Sequence, residues 1–497
     1  MRQSSLMALS RIKNTMAAVV AGRGYCTALT LFFCLCLLAS GAQGRYHTLH
    51  VTSFVRNYQQ ELAKCPATTT GTQQVEGSSP TKINLNHIHG ACSPLRSVNS
   101  NWTHHIYQSL QKDSLRLKTI QSRRKNVSAV SASALDLPLQ SGKQFDTGNY
   151  IVTAALGTPA KNFLLTIDTG SDITWVQCKP CSGANTCYSQ VDPIFDPQQS
   201  TSYKQLPCLS TQCTELTAST LNPCLVGGCT YEVNYGDGSR TSGDFSQETL
   251  KIGPDSFPSF AFGCGHSNTG LFKGSAGLLG LGRDNLAFPQ QTASKYNGQF
   301  SYCLPDFASA SATGTLSFGQ GSIPTKATFT PLLSSILYGS FYFLGLEGIS
   351  VGGERLPVSF RQTFKGSGTI IDSGTIISRL VPDVYQALKA SFRKKTSQLP
   401  AAKAFSILDT CYDLSNLKTV KIPTITFHYQ NNANVDASDV GILVGVKDDA
   451  SQVCLAFAPT SQSDDLNIIG NFQQQRMRVS YDTAGRQMGF QPQSCSA

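Results

Sequence analysis

An all-β protein with minor helices, built as two related halves, is what this sequence predicts, on three observations. Short runs rich in Val, Ile, Phe, Tyr and Thr are punctuated by 42 Gly and 22 Pro, the mark of strands separated by turns. Helical spacing is scarce, and its clearest case is Pro382–Lys395, where Val384, Leu388 and Phe392 share one face and Pro382 suits a first turn. Finally, one pair of short elements occurs twice in the same order. At 497 residues the chain has room for two or three domains, each able to bury a core.

Charge divides the chain. Residues 1–135 hold 15 Lys and Arg against 3 Asp and Glu, a balance of +12, which leaves the rest of the chain at −2. The basic character that would point to nucleic acid therefore belongs to the N-terminal quarter alone. There, the uncharged run from Cys26 to Ala39 follows Arg2, Arg11, Lys13 and Arg23 and leads into Ser-Gly-Ala-Gln-Gly44. This reads as a secretory signal peptide over residues 1–44, with a transit peptide or signal anchor as the alternative. No later stretch reaches the roughly 18 apolar residues of a membrane helix, so no stable membrane anchor is expected.

Residues 45–135 are polar and basic, and read as a propeptide with the following protein beginning near Leu135. Asn101-Trp-Thr and Asn126-Val-Ser are candidate glycosylation sites. Within residues 114–125, Leu115, Leu117 and Ile120 lie among Arg116, Lys118, Arg123, Arg124 and Lys125, the pattern of a short basic amphipathic helix. The basic run reads as a solvated propeptide face, since no aromatic interleaving or recognition motif supports nucleic-acid binding.

The duplication lies in the remainder. Thr166-Ile-Asp-Thr-Gly-Ser171 is followed by Ala276-Gly-Leu-Leu-Gly-Leu281; Ile370-Ile-Asp-Ser-Gly-Thr375 is followed by Asn467-Ile-Ile-Gly-Asn471. Each half carries an apolar-Asp-(Thr/Ser)-Gly-(Ser/Thr) turn and then two aliphatics with a Gly. The pair resembles the two active-site loops and partner strands of pepsin-like aspartic proteases, and the likeness covers residues 146–495. It implies a bilobal fold with lobes at residues 136–330 and 331–497 and a peptide-binding cleft between them. Asp168 and Asp372, 204 residues apart, are then expected as catalytic neighbours.

The chemistry explains the residue types. Two carboxylates about 3 Å apart cannot both ionise, so the pair shares one proton. One member takes a proton from a bound water that attacks the peptide carbonyl, while the other donates to the developing oxyanion. No covalent intermediate, metal or other cofactor is implied. Gly170 and Gly374 permit close backbone approach, and Ser171 and Thr375 can donate outer hydrogen bonds. By the resemblance, Thr169 and Ser373 bond across to the opposite loop, although mammalian pepsins carry Thr where this chain has Ser373. The run Val233-Asn-Tyr-Gly-Asp-Gly-Ser239 resembles the hairpin that closes over substrate, with Tyr235 and Gly236 against the peptide and Trp175 bonded to Tyr235.

Of 17 cysteines, twelve lie from Cys178 onward, an even number suited to six disulfides in an exported chain. Cys178-Lys-Pro-Cys181, Cys187 and the cluster Cys208, Cys213, Cys224, Cys229 resemble the nepenthesin-type plant enzymes. That likeness implies the pairs Cys178–Cys181, Cys187–Cys264, Cys208–Cys229, Cys213–Cys224, Cys303–Cys495 and Cys411–Cys454; spacing alone does not select them. A four-thiolate zinc site in the cluster is the competing reading. The stretch from Asn86 to Pro94 is similar to a segment of the plant group related to a chloroplast nucleoid DNA-binding protease.

A secreted, monomeric endopeptidase acting on peptides and proteins is the resulting expectation, inhibited by its own propeptide and located outside the cell, in a vacuole or in a plastid. An inactive binding relative, of the xylanase-inhibitor or storage-globulin kind, is the alternative from another class. Six of the eight His residues (His47, His50, His87, His89, His104, His105) precede residue 135, so acid would charge the same segment whose cations are held by carboxylates, and so release it.

Overall fold

The computed structural model describes residues 44–55, 80–90, 92–95 and 101–126, and most of 150–495. Within that last span residues 184–185, 217–223, 226, 236–237, 271, 273, 306–313, 336–337, 361–367 and 493–494 are not described. The expected leader up to residue 43 and the expected start near Leu135 lie outside the described residues.

The two halves are built alike around the duplicated elements. In the first, Lys161–Asp168 runs parallel to Gly277–Gly280, with Asp168 opposite Gly280, and Trp175–Gln177 pairs antiparallel on the other side. In the second, Thr369–Ile371 runs parallel to Asn467–Ile469, and Ser378–Leu380 crosses that strand antiparallel at Arg379 and Ile468. Both aliphatic pairs, Leu278–Leu279 and Ile468–Ile469, are buried, which is why each loop needs its partner strand.

Both halves also share one sheet, whose order is Thr81–His87, Gly314–Phe318, Gln299–Cys303, Met477–Asp482, Gln487–Pro492 and Thr328–Leu333. Its inner face is aromatic: Phe300 stacks on Tyr481 at 4.4 Å and Tyr481 meets Tyr342 edge-on at 4.6 Å. The strand Thr81–His87, from the basic N-terminal quarter, occupies the outer edge and also pairs with Tyr150 and Ile151. The lobe boundary expected near Thr330 falls inside Thr328–Leu333.

Helices are few. Pro382–Lys395 has the bounds its periodicity predicts, burying Val384, Tyr385, Leu388 and Phe392 and carrying Arg393, Lys394 and Lys395 at its negative C-terminal end. The helix expected within residues 114–125 is much longer, Trp102–Asn126. It starts early because Asn101 Oδ1 accepts the His104 amide at 3.1 Å as an N-cap, and because Trp102 is buried and donates its indole N–H to the Gly445 carbonyl at 2.9 Å. Trp102, Ile106 and Leu110 pack with Ile376, Ile377 and Val446, while Leu117 and Ile120 pack with Tyr338, Phe341, Phe343 and Ile468. Among the described residues no helix is long and apolar enough to cross a membrane.

Candidate active site

Asp168 ends its strand, Asp372 directly follows Thr369–Ile371, both are buried, and their loops grip each other. The Thr169 amide donates to Ser373 Oγ at 3.1 Å and the Ser373 amide donates to Thr169 Oγ1 at 2.9 Å, a reciprocal pair across the two halves. Serine at 373 supplies the hydroxyl that this contact needs. Within each loop the glycine amide donates to its own aspartate, Gly170 to Asp168 Oδ1 at 2.9 Å and Gly374 to Asp372 Oδ1 at 3.1 Å. Ser171 Oγ donates to Asp168 Oδ2 at 2.6 Å, and Thr375 Oγ1 donates to Asp372 Oδ2 at 2.5 Å.

Glycine is required at both positions. A Cβ on Gly170 would stand 2.9 Å from Asp372 Oδ1, and one on Gly374 would stand 2.5 Å from Asp168 Oδ1. Each loop therefore approaches the opposite carboxylate as closely as its backbone allows.

The long helix places Arg116 on top of this pair. Its guanidinium reaches Asp168 through Nη2 at 2.8 Å and Nη1 at 3.1 Å, and Asp372 through Nε and Nη2, both at 2.9 Å. One planar donor fork thus binds two buried carboxylates at once, an arrangement suited to arginine rather than lysine. Burial alone would push the Asp168 carboxyl up, but the Arg116 charge, with donors from Ser171 and Gly170, brings it below the usual carboxylate range. Burial pushes Asp372 up, and although Arg116 opposes this, the neighbouring Asp168 charge leaves it raised. The pair therefore titrates as one coupled unit with its members driven apart.

Gly228–Asn234 and Arg240–Ile252 form a hairpin, and Trp175 Nε1 donates to Tyr235 Oη at 2.7 Å. Phe272 meets Trp175 edge-on at 4.7 Å and Tyr235 at 5.3 Å, fixing both rings. Gly236 lies outside the described residues.

Most of the disulfide expectation is overturned. Cys303–Cys495 and Cys411–Cys454 form as the likeness implies, but the others pair as Cys178–Cys264, Cys181–Cys187 and Cys213–Cys229. Strand geometry is the reason. Trp175–Gln177 runs parallel to Asp255–Thr269, and the Cys178 amide reaches the Gly265 carbonyl at 2.8 Å, so Cys178 sits beside Cys264 and not beside Cys181. In the cluster, the helix Thr211–Leu216 turns Cys213 onto Cys229, leaving Cys208 and Cys224 as free thiols. The Cys213–Cys229 bond also removes two sulfurs from any four-thiolate zinc site. Cys92 is disulfide-bonded as well.

Sequence reasoning placed Arg116 on a basic helical face and missed that it meets the dyad. It also missed Asp113 and Arg379, whose buried ion pair at 3.1 Å seats the same helix. The available signal was a charge standing in an apolar stripe.

A bilobal β fold whose duplicated Asp-Thr/Ser-Gly loops converge on one buried carboxylate pair defines a pepsin-like aspartic protease. Residues 150–320 match the family described as xylanase inhibitor N-terminal, and residues 341–492 its C-terminal counterpart. The chain is 42% identical over 482 residues to an aspartyl protease family protein of Arabidopsis thaliana, covering 94% of this chain and 98% of that one. It is 35% identical over 400 residues to the aspartic proteinase nepenthesin-2 of Nepenthes gracilis, covering 79% and 86%. Among solved structures, soybean basic 7S globulin superposes with a TM-score of 0.54 at 22% identity, covering 69% of this chain and 93% of that one. The chain belongs to the plant pepsin-like aspartic protease family, and its function is that of an aspartic endopeptidase acting on peptides. Its disulfides are consistent with passage through a secretory route.

Proposed function

We propose that Asp168 and Asp372 are the catalytic dyad of a zymogen, in which residues 45–135 form the propeptide and Arg116 keeps the dyad closed. The observation that carries this reading is the single guanidinium bonded to both carboxylates. In this reading Arg116 stands where an attacking water would bind, and its helix fills the cleft. With the helix gone, the dyad shares a proton, one carboxylate activates water and the other protonates the carbonyl oxygen. Tyr235, held by Trp175, closes over the peptide.

Acid favours release. Protonation of Asp168 removes the partner that Arg116 needs, and the rings of His87, His89 and His105 lie at 5.7 and 4.5 Å from one another, so charging them adds repulsion. Export through a signal peptide at residues 1–44, glycosylation at Asn101 and Asn126, a monomeric state and an extracellular or vacuolar site of action complete the proposal. Asn101 is exposed, which suits a glycan.

The binding-protein alternative draws on the xylanase-inhibitor family description, but both Asp loops and the Trp175–Tyr235 contact are intact here. The deciding experiment is hydrolysis of a denatured protein by acid-treated precursor across about pH 3–7, a range that brackets carboxylate titration. Asp168→Asn and Asp372→Asn are each expected to abolish the activity, and pepstatin to inhibit it. A folded, processed wild-type protein that cuts nothing would transfer the assignment to a protein-binding relative.

A further inference from the structure

One turn before Arg116, the propeptide helix inserts a second charged side chain into the body of the enzyme. Asp113 Oδ1 accepts the Ile376 amide at 2.8 Å, and Oδ2 accepts Arg379 Nε at 3.2 Å, Arg379 Nη2 at 3.1 Å and the Ile377 amide at 3.4 Å. The Asp113 and Arg379 side chains are 0% and 3% exposed. Arg379 also donates to Ser114 Oγ at 3.2 Å.

The donors belong to the catalytic loop and not to the helix. Ile376 and Ile377 directly follow Thr375, and Arg379 stands in Ser378–Leu380, locked by pairing with Ile468. The Phe472 amide bonds the Ile376 carbonyl at 3.1 Å, and Ser378 is tied to Gln473 through both its amide and its hydroxyl. The cradle is therefore fixed by the same elements that fix Asp372. Among the described residues, Asp113 is the carboxylate paired with Arg379, so removal of the helix uncovers a guanidinium and two amides that have lost that acceptor. The donor set, a guanidinium and two adjacent amides converging on one carboxylate, has the geometry of a carboxylate receptor.

We propose that Arg379 and the amides of Ile376 and Ile377 form a substrate subsite for an ionised carboxylate, which Asp113 fills in the precursor. The processed protease accordingly prefers peptides with Asp or Glu near the bond it cuts. Asp113 lies three residues from Arg116, about 4.5 Å along a helix, and an extended peptide advances roughly 3.3 Å per residue. The acidic side chain thus belongs within about two or three residues of the scissile bond. This assignment rests on the reading that Asp168 and Asp372 are catalytic and that the helix vacates the cleft.

The test is kcat/KM for acid-processed enzyme at about pH 5, where Asp side chains are ionised, on a parent peptide carrying Asp, Asn or Ala at each position flanking the cleavage site. At one position Asp is expected to exceed Asn by about tenfold or more, the worth of a charged hydrogen-bonded pair. That ratio should fall towards one as the substrate carboxylate protonates at lower pH. Arg379→Gln should remove the ratio and Arg379→Lys retain part of it, each judged within its own enzyme so that a change in overall rate does not intrude. Equal turnover of the Asp and Asn peptides at every position by wild-type enzyme overturns the inference while leaving the peptidase reading intact, and needs no variant. A preference that survives in Arg379→Gln also overturns it. Failure of wild-type enzyme to cut any of the peptides defeats the peptidase reading and the subsite with it.

Discussion

Replacing Arg116 by Gln in the precursor should unmask the dyad without acid. Four hydrogen bonds of 2.8–3.1 Å join this guanidinium to two buried carboxylates. Breaking a buried ion pair by removing one partner costs about 3–5 kcal/mol. The lower end applies here, because the freed carboxylates can share a proton and relieve their repulsion. About 3 kcal/mol raises the open population roughly a hundredfold, at 1.4 kcal/mol per tenfold. The helix still keeps its other anchors, including the Asp113–Arg379 pair and the two bonds between Gln121 and Leu466, so opening is expected and full loss of the propeptide is not. The assay is hydrolysis of a quenched fluorescent peptide by intact precursor at near-neutral pH, with retention on immobilised pepstatin as a second readout. The sign of the pH effect follows from Asp168. Because its carboxyl is held below the ordinary range, the Asp168 part of the Arg116 contact is at full strength above that range and is lost as pH falls through the depressed value, whereas Asp372, held above the range, protonates first. Wild-type precursor should therefore open only in acid, and Arg116→Gln at higher pH. An Arg116→Gln precursor as silent as wild type at every pH, while the two acid-processed enzymes are equally active, would refute the plug.

Two further outcomes are expected. Tyr235→Phe removes the acceptor for the Trp175 indole at 2.7 Å, a neutral hydrogen bond worth about 1 kcal/mol. It should lower kcat/KM about fivefold and leave the pH profile of the dyad in place; an unchanged kcat/KM would show that the contact does not position the hairpin for catalysis. Peptide mapping without reduction should recover Cys178–Cys264, Cys181–Cys187 and Cys213–Cys229, with Cys208 and Cys224 alkylated; a Cys178–Cys181 or Cys208–Cys229 link would refute these pairings.

The contrast between the Asp168–Asp372 pair and Arg116 marks how far the sequence could be read. The Asp168 and Asp372 loops were legible because a carboxylate served by its own loop's glycine amide and hydroxyl needs those residue types at fixed local spacing, and the chain does this twice. The disulfides were not, since the strand alignment that seats Cys178 beside Cys264 spans 86 residues. Arg116 was harder still, with partners 52 and 256 residues away and a basic neighbourhood that reads as solvated surface. Yet its helix does carry a local clue. At 100° per residue, Trp102, Ile106, Leu110, Asp113, Leu117 and Ile120 all fall on one narrow stripe, and all are buried. Five are apolar and one is an aspartate. An acid in the middle of a buried stripe must meet a cation or a set of amides on the surface that the stripe covers. The position of Asp113 therefore requires a receptor on the surface that the helix covers, and Arg379 supplies it. Arg116, at the edge of the same stripe, faces that covered surface as well, where the carboxylates of the two duplicated loops receive it.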